Sequence, residues 1–368
     1  YSKSVTVVTV ASKRNAELKA LERSTQVAGV PLEVLGLGEP YSGHETKLRN
    51  YYHWLRSTSV PAGAVVALVD AYDILVAPSF AEIASRFTQF FNHPIVFAGE
   101  RSLWPDNALE PFYAPTPGGS NLKFLNSGLL VGYAWALEFM LGTVLGYGAV
   151  ATCGPDDQRS FHRFLLENPE LATLDFDGVL FQTLHFLPTS FTISPTGDFV
   201  MPMNKSALKD PPRRNAQEFP CAVHGNGGDG KYAFARLLAS WNEALAKKQH
   251  VPVEPPPFAT GIYLYEQGDL AGAERAFLLA TQSTSEPDQK VESMYNLGVV
   301  RQQLGFATEA LHCYQRTLAL EPAHIGAQLN MATILFAHGS HHEAKSIVSG
   351  IVLRDPSNEL ALKLQAEM

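Results

Sequence analysis

The sequence predicts an α/β domain followed by a smaller all-α domain, on three observations. Short β-branched and aliphatic runs alternate with amphipathic segments through the first two thirds of the chain. A proline-dense stretch, His250 to Phe258, then places four prolines in nine residues, a density that interrupts helix and sheet alike. Beyond it every periodic segment reads as helix, and features recur 34 residues apart. The expected organisation is therefore 1–249 as the α/β domain, 250–257 as a stiff linker and 258–368 as the helical domain.

The first strand is Val5 to Val10, all valine and threonine, which suits an inner position in a parallel sheet covered on both faces. A second run, Val65 to Val69, feeds directly into Asp70-Ala71-Tyr72-Asp73 and then Ile74 to Val76. Open α/β sheets place their ligands at the carboxyl ends of central strands. Two carboxylates three residues apart across a tight turn can converge on one divalent ion that also holds a diphosphate. Ordinary turn capping by the aspartates is the competing reading.

Phe124 to Gly132 is an apolar strand interrupted by Asn126-Ser127-Gly128. That triplet either brings a ligand close to backbone or marks a β-bulge. Gly154-Pro155-Asp156-Asp157-Gln158 precedes the periodic segment Phe161 to Leu166, so one acidic residue can cap a helix, while two aspartates and a glutamine exceed what a cap needs. If Asn replaces either aspartate, capping persists and the expected stability change is about 1 kcal/mol or less. Loss of catalysis on the order of 100-fold is expected if the charge acts at the transition state. His224-Gly225-Asn226-Gly227-Gly228-Asp229-Gly230-Lys231 joins a neutral metal ligand, flexible backbone and a cation suited to phosphate. It also fits a plain glycine loop that leads into a helix over Tyr232 to Lys248.

The second domain follows from subtraction. Gly305 and Gly339, Ala310 and Ala344, Asn296 and Asn330, and Pro322 and Pro356 are each 34 apart, the tetratricopeptide period. Gly268 and Ala273 begin an earlier unit 37 residues upstream, with Ser283 to Gln289 absorbing the difference. Small residues at these points are expected to let paired helices approach closely, with Tyr295, Leu297, Leu311, Tyr314 and Leu318 filling the seam. Such an array can present a binding surface to a protein partner, cap the first domain or mediate self-association.

Composition narrows the function. The 368 residues are 46% hydrophobic and 17% charged with net charge −8, which gives no general electrostatic basis for binding nucleic acid or an anionic membrane. The three cysteines, Cys153, Cys221 and Cys313, are too few for a disulfide framework. No run approaches the roughly 20 apolar residues of a membrane span. The start at Tyr1 leads us to expect that a targeting segment has been trimmed.

Read in order, VTVASK (Val8 to Lys13), LGLGE (Leu35 to Glu39), the lysine of HETKLR (Lys47), VDAYD, AGERSLWPD (Ala98 to Asp106), FLNSGLLVGYA (Phe124 to Ala134), PDDQRSFH (Pro155 to His162) and HGNG (His224 to Gly227) resemble the glycosyltransferase domain of the multifunctional procollagen lysyl hydroxylases. The chain is more distantly similar to the collagen galactosyltransferases. The resemblance covers about residues 4–245 and leaves the repeats outside. It implies a GT-A fold with a mixed central sheet, manganese, and UDP-galactose or UDP-glucose as donor. By the same resemblance Asp70, Asp73 and His224 are metal ligands. The backbone of Thr9, Val10, Ala11 and Ser12, with Ala71 and the Tyr72 side chain, receives uridine, and Lys47, Gly227 and Lys231 receive phosphate. Asp156, Asp157, Asn126 and Gln158 face the sugars, and Trp104 is an aromatic gate with Glu100 close by; an isolated tryptophan would otherwise be assigned to the core.

Transfer to a protein or glycoprotein hydroxyl, with hydroxylysine or galactosyl-hydroxylysine as acceptor, is the implied reaction. Inversion and retention both stay open. The chain departs from the family in an extra residue within HGNGGDGK and in a shortened acidic block, and it has no iron dioxygenase ligand set, so hydroxylase activity is not carried over. A catalytically inactive UDP-sugar-binding module with repeat-mediated protein binding is the alternative, and a structural adaptor a third reading. The resemblance places the chain in the secretory pathway, endoplasmic reticulum or Golgi lumen, with the sequon Asn204-Lys205-Ser206 compatible; a cytoplasmic location is the alternative.

Overall fold

The computed structural model describes residues 5–57, 60–116, 120–147, 156–185, 190–201, 220–283 and 287–368. Cys153, Gly154, Pro155 and the sequon Asn204-Lys205-Ser206 lie outside these. The chain divides into two compact units, Tyr1–Glu254 and Pro255–Met368.

In chain order the first unit comprises β1 (Val5–Val10), α1 (Ala16–Ala28), β2 (Leu32–Leu35), α2 (His44–Ser57), β3 (Val65–Val69), β4 (Ile74–Val76), α3 (Ile83–Phe90), β5 (Ile95–Glu100), β6 (Phe124–Tyr133), α4 (Ala134–Gly146) and α5 (Asp157–Glu167). It continues through β7 (Ala172–Asp175), β8 (Phe181–Thr183), β9 (Phe191–Ile193), β10 (Phe199–Val200), β11 (Ala222–His224), α6 (Gly227–Lys247) and β12 (Val251–Val253). The main sheet runs β2-β1-β3-β6-β5-β7. β1 lies between β2 and β3 with parallel partners on both sides, Val5 opposite Val65 and Val7 opposite Leu32, which accounts for its unbroken β-branched character. Successive residues pack on opposite faces: Val5, Val7, Val65, Ala67 and Val69 belong to one core, whereas Val8, Val10, Val66 and Leu68 belong to the other.

β6 is antiparallel to both neighbours and makes the sheet mixed. Its pairing with β5 slips between Phe97 opposite Leu130 and Ala98 opposite Asn126. Ser127, Gly128 and Leu129 are thus left out of that ladder, so the triplet does form a bulge, and one placed beside Asp70. A smaller sheet, β4-β11-β8, pairs His224 with Ile74 across an antiparallel register. The HGNG strand therefore ends next to the DAYD turn.

Two expectations change. The glycine loop after His224 is the start of α6, which begins at Gly227 and not near Tyr232. Gly227 takes a left-handed φ of +72°, and Gly230 packs against the Gly225 backbone, a backbone approach that a side chain would block. The proline stretch is not a plain linker, because Val251–Val253 forms β12 against β9. Its alternation of two buried valines about an exposed Pro252 fits a short strand with proline on an edge.

The second unit contains α7 (Pro257–Glu266), α8 (Leu270–Ser283), α9 (Pro287–Gln303), α10 (Ala307–Leu320), α11 (Ile325–Ala337), α12 (His341–Arg354) and α13 (Glu359–Glu367). Three helical hairpins and a further helix follow the sequence period. Ala273, Ala310 and Ala344 are fully buried, as the close-approach reading requires. Gly268, Gly305 and Gly339 serve another purpose: each lies in a turn at φ +78° to +86°, and an added Cβ would meet no atom within 4 Å. Close approach is instead made by Gly261 against Phe277 and Gly298 against Tyr314. In the third repeat Ala332 and Val348 share a core.

Candidate active site

The site is assembled where β3 and β11 end, beside the bulge near the start of β6. Asp70 follows β3, and its N–H donates to Gly128 O at 2.9 Å. Asp73 precedes β4, and its carbonyl accepts from Gly225 N at 2.8 Å. These backbone bonds lock the DAYD turn to the two glycine-bearing segments. His224 Nε2 then stands 3.4 Å from Asp73 Oδ1 and 3.8 Å from Asp70 Oδ2, and all three residues offer ligand atoms within 4.8 Å of one another. His224 Nδ1 pairs with Asn126 Oδ1 at 2.7 Å. Since the amide oxygen can only accept, Nδ1 carries a proton, which leaves Nε2 as the ring atom that faces the carboxylates and that a metal ion would take. Two carboxylate oxygens and an imidazole suit a divalent first-row ion such as manganese, and Asn126 supplies the partner that fixes the ligand ring.

Gly128 makes the corner possible. A Cβ there would run into His224 Cε1 and stand 2.8 Å from Asp70 Oδ2. His224 is buried, which disfavours its charge, yet Asp73 and Asp70 raise its pKa; His224 in turn lowers that of Asp73 against burial.

Beside these three residues lies an ionic chain. Lys47 and Tyr51, one turn apart on α2, point at the end of β3: Tyr51 OH donates to Val69 O at 2.9 Å, and Lys47 Nζ donates to Asp70 Oδ1 at 2.5 Å and Asp157 Oδ2 at 2.7 Å. Burial alone would neutralise both Lys47 and Asp157. Instead Asp157 and Asp70 raise the lysine pKa well above its usual value, and Lys47 with His44 holds the Asp157 carboxyl well below the carboxylate range.

The adjacent aspartates divide their work. Asp156 caps α5, accepting from Arg159 N at 3.2 Å, whereas Asp157 begins the helix and is turned inward. The expected stability change of about 1 kcal/mol or less thus applies to Asp156. It is too small for Asp157, whose loss would strip buried Lys47 of one partner.

A second polar cluster surrounds Glu100. Gln158 Nε2 and Asn226 Nδ2 each donate to its carboxylate at 2.6 Å, and Asn126 Nδ2 lies at 3.4 Å. Burial pushes its pKa up to about 7 even though these amides favour the anion. Gln158 Nε2 and His162 Nε2 also meet Trp104 O, at 3.1 and 2.8 Å. The backbone of Trp104 is pinned while its indole is 63% exposed, so the core assignment for this tryptophan does not hold.

Around the end of β1, the Thr9 hydroxyl is committed to Val69 O at 2.8 Å. Ala11 N and Ser12 O are paired with Leu35 O and Gly38 N, and Val10 lies within the ladder to β2. Tyr72 OH reaches across to donate to Lys13 O at 3.1 Å. Ala71, between Asp70 and Tyr72, is buried. Lys231 is exposed on the first turn of α6, and its charge helps lower the Asp73 pKa. Gly227 admits His185, whose Nδ1 a Cβ would strike. Sequence reasoning passed over His44 and the Asn226 side chain, although both stand within the family-like blocks. The three-residue offset of His44 from Lys47 on one helix was the available signal.

A mixed-sheet α/β unit with this acidic and imidazole corner defines the class as a GT-A-like glycosyltransferase fold, followed by a tetratricopeptide region. Residues 1–249 match the family model described as the PLOD GT domain, and residues 303–368 match a tetratricopeptide repeat model. The chain belongs to the PLOD glycosyltransferase-domain family. It is similar to the multifunctional procollagen lysine hydroxylase and glycosyltransferase of Caenorhabditis elegans, with 33% identity over 34% of this chain and 18% of the relative. It is also similar to procollagen-lysine,2-oxoglutarate 5-dioxygenase 1 of Mus musculus (30% identity, 45% of this chain and 22% of the relative). The corresponding Drosophila melanogaster dioxygenase is 26% identical over 62% of this chain and 31% of the relative. The chain thus spans less than a third of the length of these relatives.

Proposed function

We propose that the first unit is a manganese-dependent transferase that moves galactose or glucose from its UDP donor to a hydroxyl of a protein or glycoprotein. Hydroxylysine or galactosyl-hydroxylysine is the acceptor class we favour. The convergence of Asp70, Asp73 and His224 within the span matched by the family carries this reading. Manganese, when bound, supplies positive charge to the diphosphate as it leaves. Asp70, Asp73 and His224 would hold it, and Lys47 is positioned one bond away to take a share of that charge.

The remaining residues orient and enclose. Tyr72, close to the end of β1, borders the uridine position, with Gly227 and Lys231 on the phosphate side. Asn126, Asp157 and Gln158 present polar groups to the sugars. The exposed Trp104 indole offers a flat apolar face to a sugar ring and can exclude water from the transfer. Asp156 supports this arrangement by starting α5. The repeats serve protein binding or self-association, and a secretory-pathway lumen is the setting this acceptor class requires.

The decisive experiment incubates purified chain with each UDP-sugar, manganese and candidate acceptors, with mass detection of the product. Asp73→Ala should nearly abolish turnover while circular dichroism stays that of the wild type. Undiminished turnover in that variant would remove Asp73 from the site. UDP binding by the wild type without turnover on any acceptor would favour the inactive binding module.

A further inference from the structure

His44, which neither the family resemblance nor the metal corner assigns, opens α2 one turn before Lys47. Its Nδ1 lies 3.1 Å from Asp157 Oδ1, with the imidazole 49% exposed and the carboxylate 4%. The other oxygen of Asp157 accepts from Lys47, which also binds Asp70. An unbroken line of charged groups therefore runs from a solvent-facing ring through Asp157 and Lys47 to a metal-ligand carboxylate. Ser127 Oγ, 3.4 Å from Asp157 Oδ1, is too distant to replace the ring as a strong partner.

We infer that His44 is a positioning residue of the transfer site, holding Asp157 and so setting how Lys47 divides itself between Asp157 and Asp70. This rests on the transferase reading. When His44 is protonated, Asp157 shares its charge between two cations and grips Lys47 less exclusively; when the ring is neutral, Lys47 is drawn towards Asp157 and away from the diphosphate side. The ring faces Asp157 and Asp156 from α5 and Lys47 from its own helix, with the Tyr41 phenol also in the field of Asp157 and Lys47. The bond to Asp157 raises the His44 pKa, opposed by burial and by Lys47. The protonated pairing is thus complete below the ordinary imidazole range and is lost as pH rises through the higher folded-state value.

Two measurements test this. In the first, the ring titration of His44 is followed by NMR, its resonance identified by its loss in His44→Gln. The midpoint should lie above the ordinary imidazole range and return to it in Asp157→Asn; equal midpoints in the two proteins overturn the inference. In the second, UDP affinity with manganese is measured by calorimetry from pH 6 to 9. Wild-type affinity should weaken by about fivefold or more as pH rises, a typical coupling between linked sites. His44→Gln, which keeps a polar side chain of similar reach but does not titrate, should bind with no such pH dependence, and His44→Ala should bind more weakly than wild type at pH 6. A His44→Gln profile parallel to wild type overturns the role of His44 while leaving the transferase reading intact. A wild-type chain that binds no UDP overturns both.

Discussion

Glycine is used for opposite reasons at two sets of positions, one drawn from each unit. In the α/β unit, Gly128 and Gly227 are places where another side chain needs the room, His224 in one case and His185 in the other. In the repeat unit, Gly268, Gly305 and Gly339 face open space, and what they provide is a left-handed turn. A residue at the first kind of position is replaced at the expense of the site. At the second kind, replacement strains only the local backbone.

The largest effect should therefore come from Gly128→Ala. The new methyl would clash with His224 and stand 2.8 Å from Asp70 Oδ2, so manganese-dependent UDP affinity should fall on the order of 100-fold, the range seen when ligand geometry is disturbed. Overpacking should add a stability loss of about 1 to 3 kcal/mol. Calorimetry with UDP and manganese, paired with thermal melts, checks both. Wild-type affinity in a folded Gly128→Ala protein would break the comparison, because the site would then have room to spare.

The aspartate pair sharpens the same contrast between site and scaffold. Asp157→Asn removes one partner of a buried lysine and should cost about 3 kcal/mol, near the lower end for breaking a buried pair because Asp70 remains. Asp156→Asn should change stability by only a few tenths, since asparagine caps about as well as aspartate. The sign with pH follows from the depressed Asp157 pKa. Its stabilisation is present above the usual carboxylate pKa and disappears as pH falls through the folded-state value, so the gap between wild type and Asp157→Asn should narrow in acid. Melts of both variants at pH 7 and in acid test this, and equal losses at pH 7 would refute the division of labour.

Much of this was legible in the sequence where a pattern is local. Val5–Val10 announced an inner strand, Val69-Asp70 a strand end with a carboxylate, and the 34-residue offsets a repeat. What escaped was long-range. An apolar strand such as β6 reads the same in either direction, so its antiparallel pairing was not visible in the pattern, although the bulge at Asn126-Ser127-Gly128 was one of the two readings the triplet allowed. Nor did the local pattern show that Gly227 starts a helix, or that His185 occupies the space a side chain there would take. Glu100 stood in a family-like block, yet the amides that surround it come from three separate segments. Even the period misled in one respect, because spacing alone does not distinguish a glycine needed for contact from one needed for φ.

That distinction yields the smallest effect and the most direct test. At Gly305, φ is +86° and no atom lies within 4 Å of the place a Cβ would take. Alanine there meets no obstacle and should destabilise the chain by about 1 to 2 kcal/mol through the left-handed backbone alone. Asparagine is larger, but it tolerates positive φ better than other residues with a Cβ. Gly305→Asn should therefore cost less than Gly305→Ala, the reverse of the order that crowding would produce. Neither change should alter UDP affinity, since the strain is confined to a turn between α9 and α10. Thermal melts of the full chain give the order of stabilities and calorimetry gives the affinities. If asparagine proves more damaging than alanine, close approach of the paired helices is the better account of these glycines, and their difference from Gly128 vanishes.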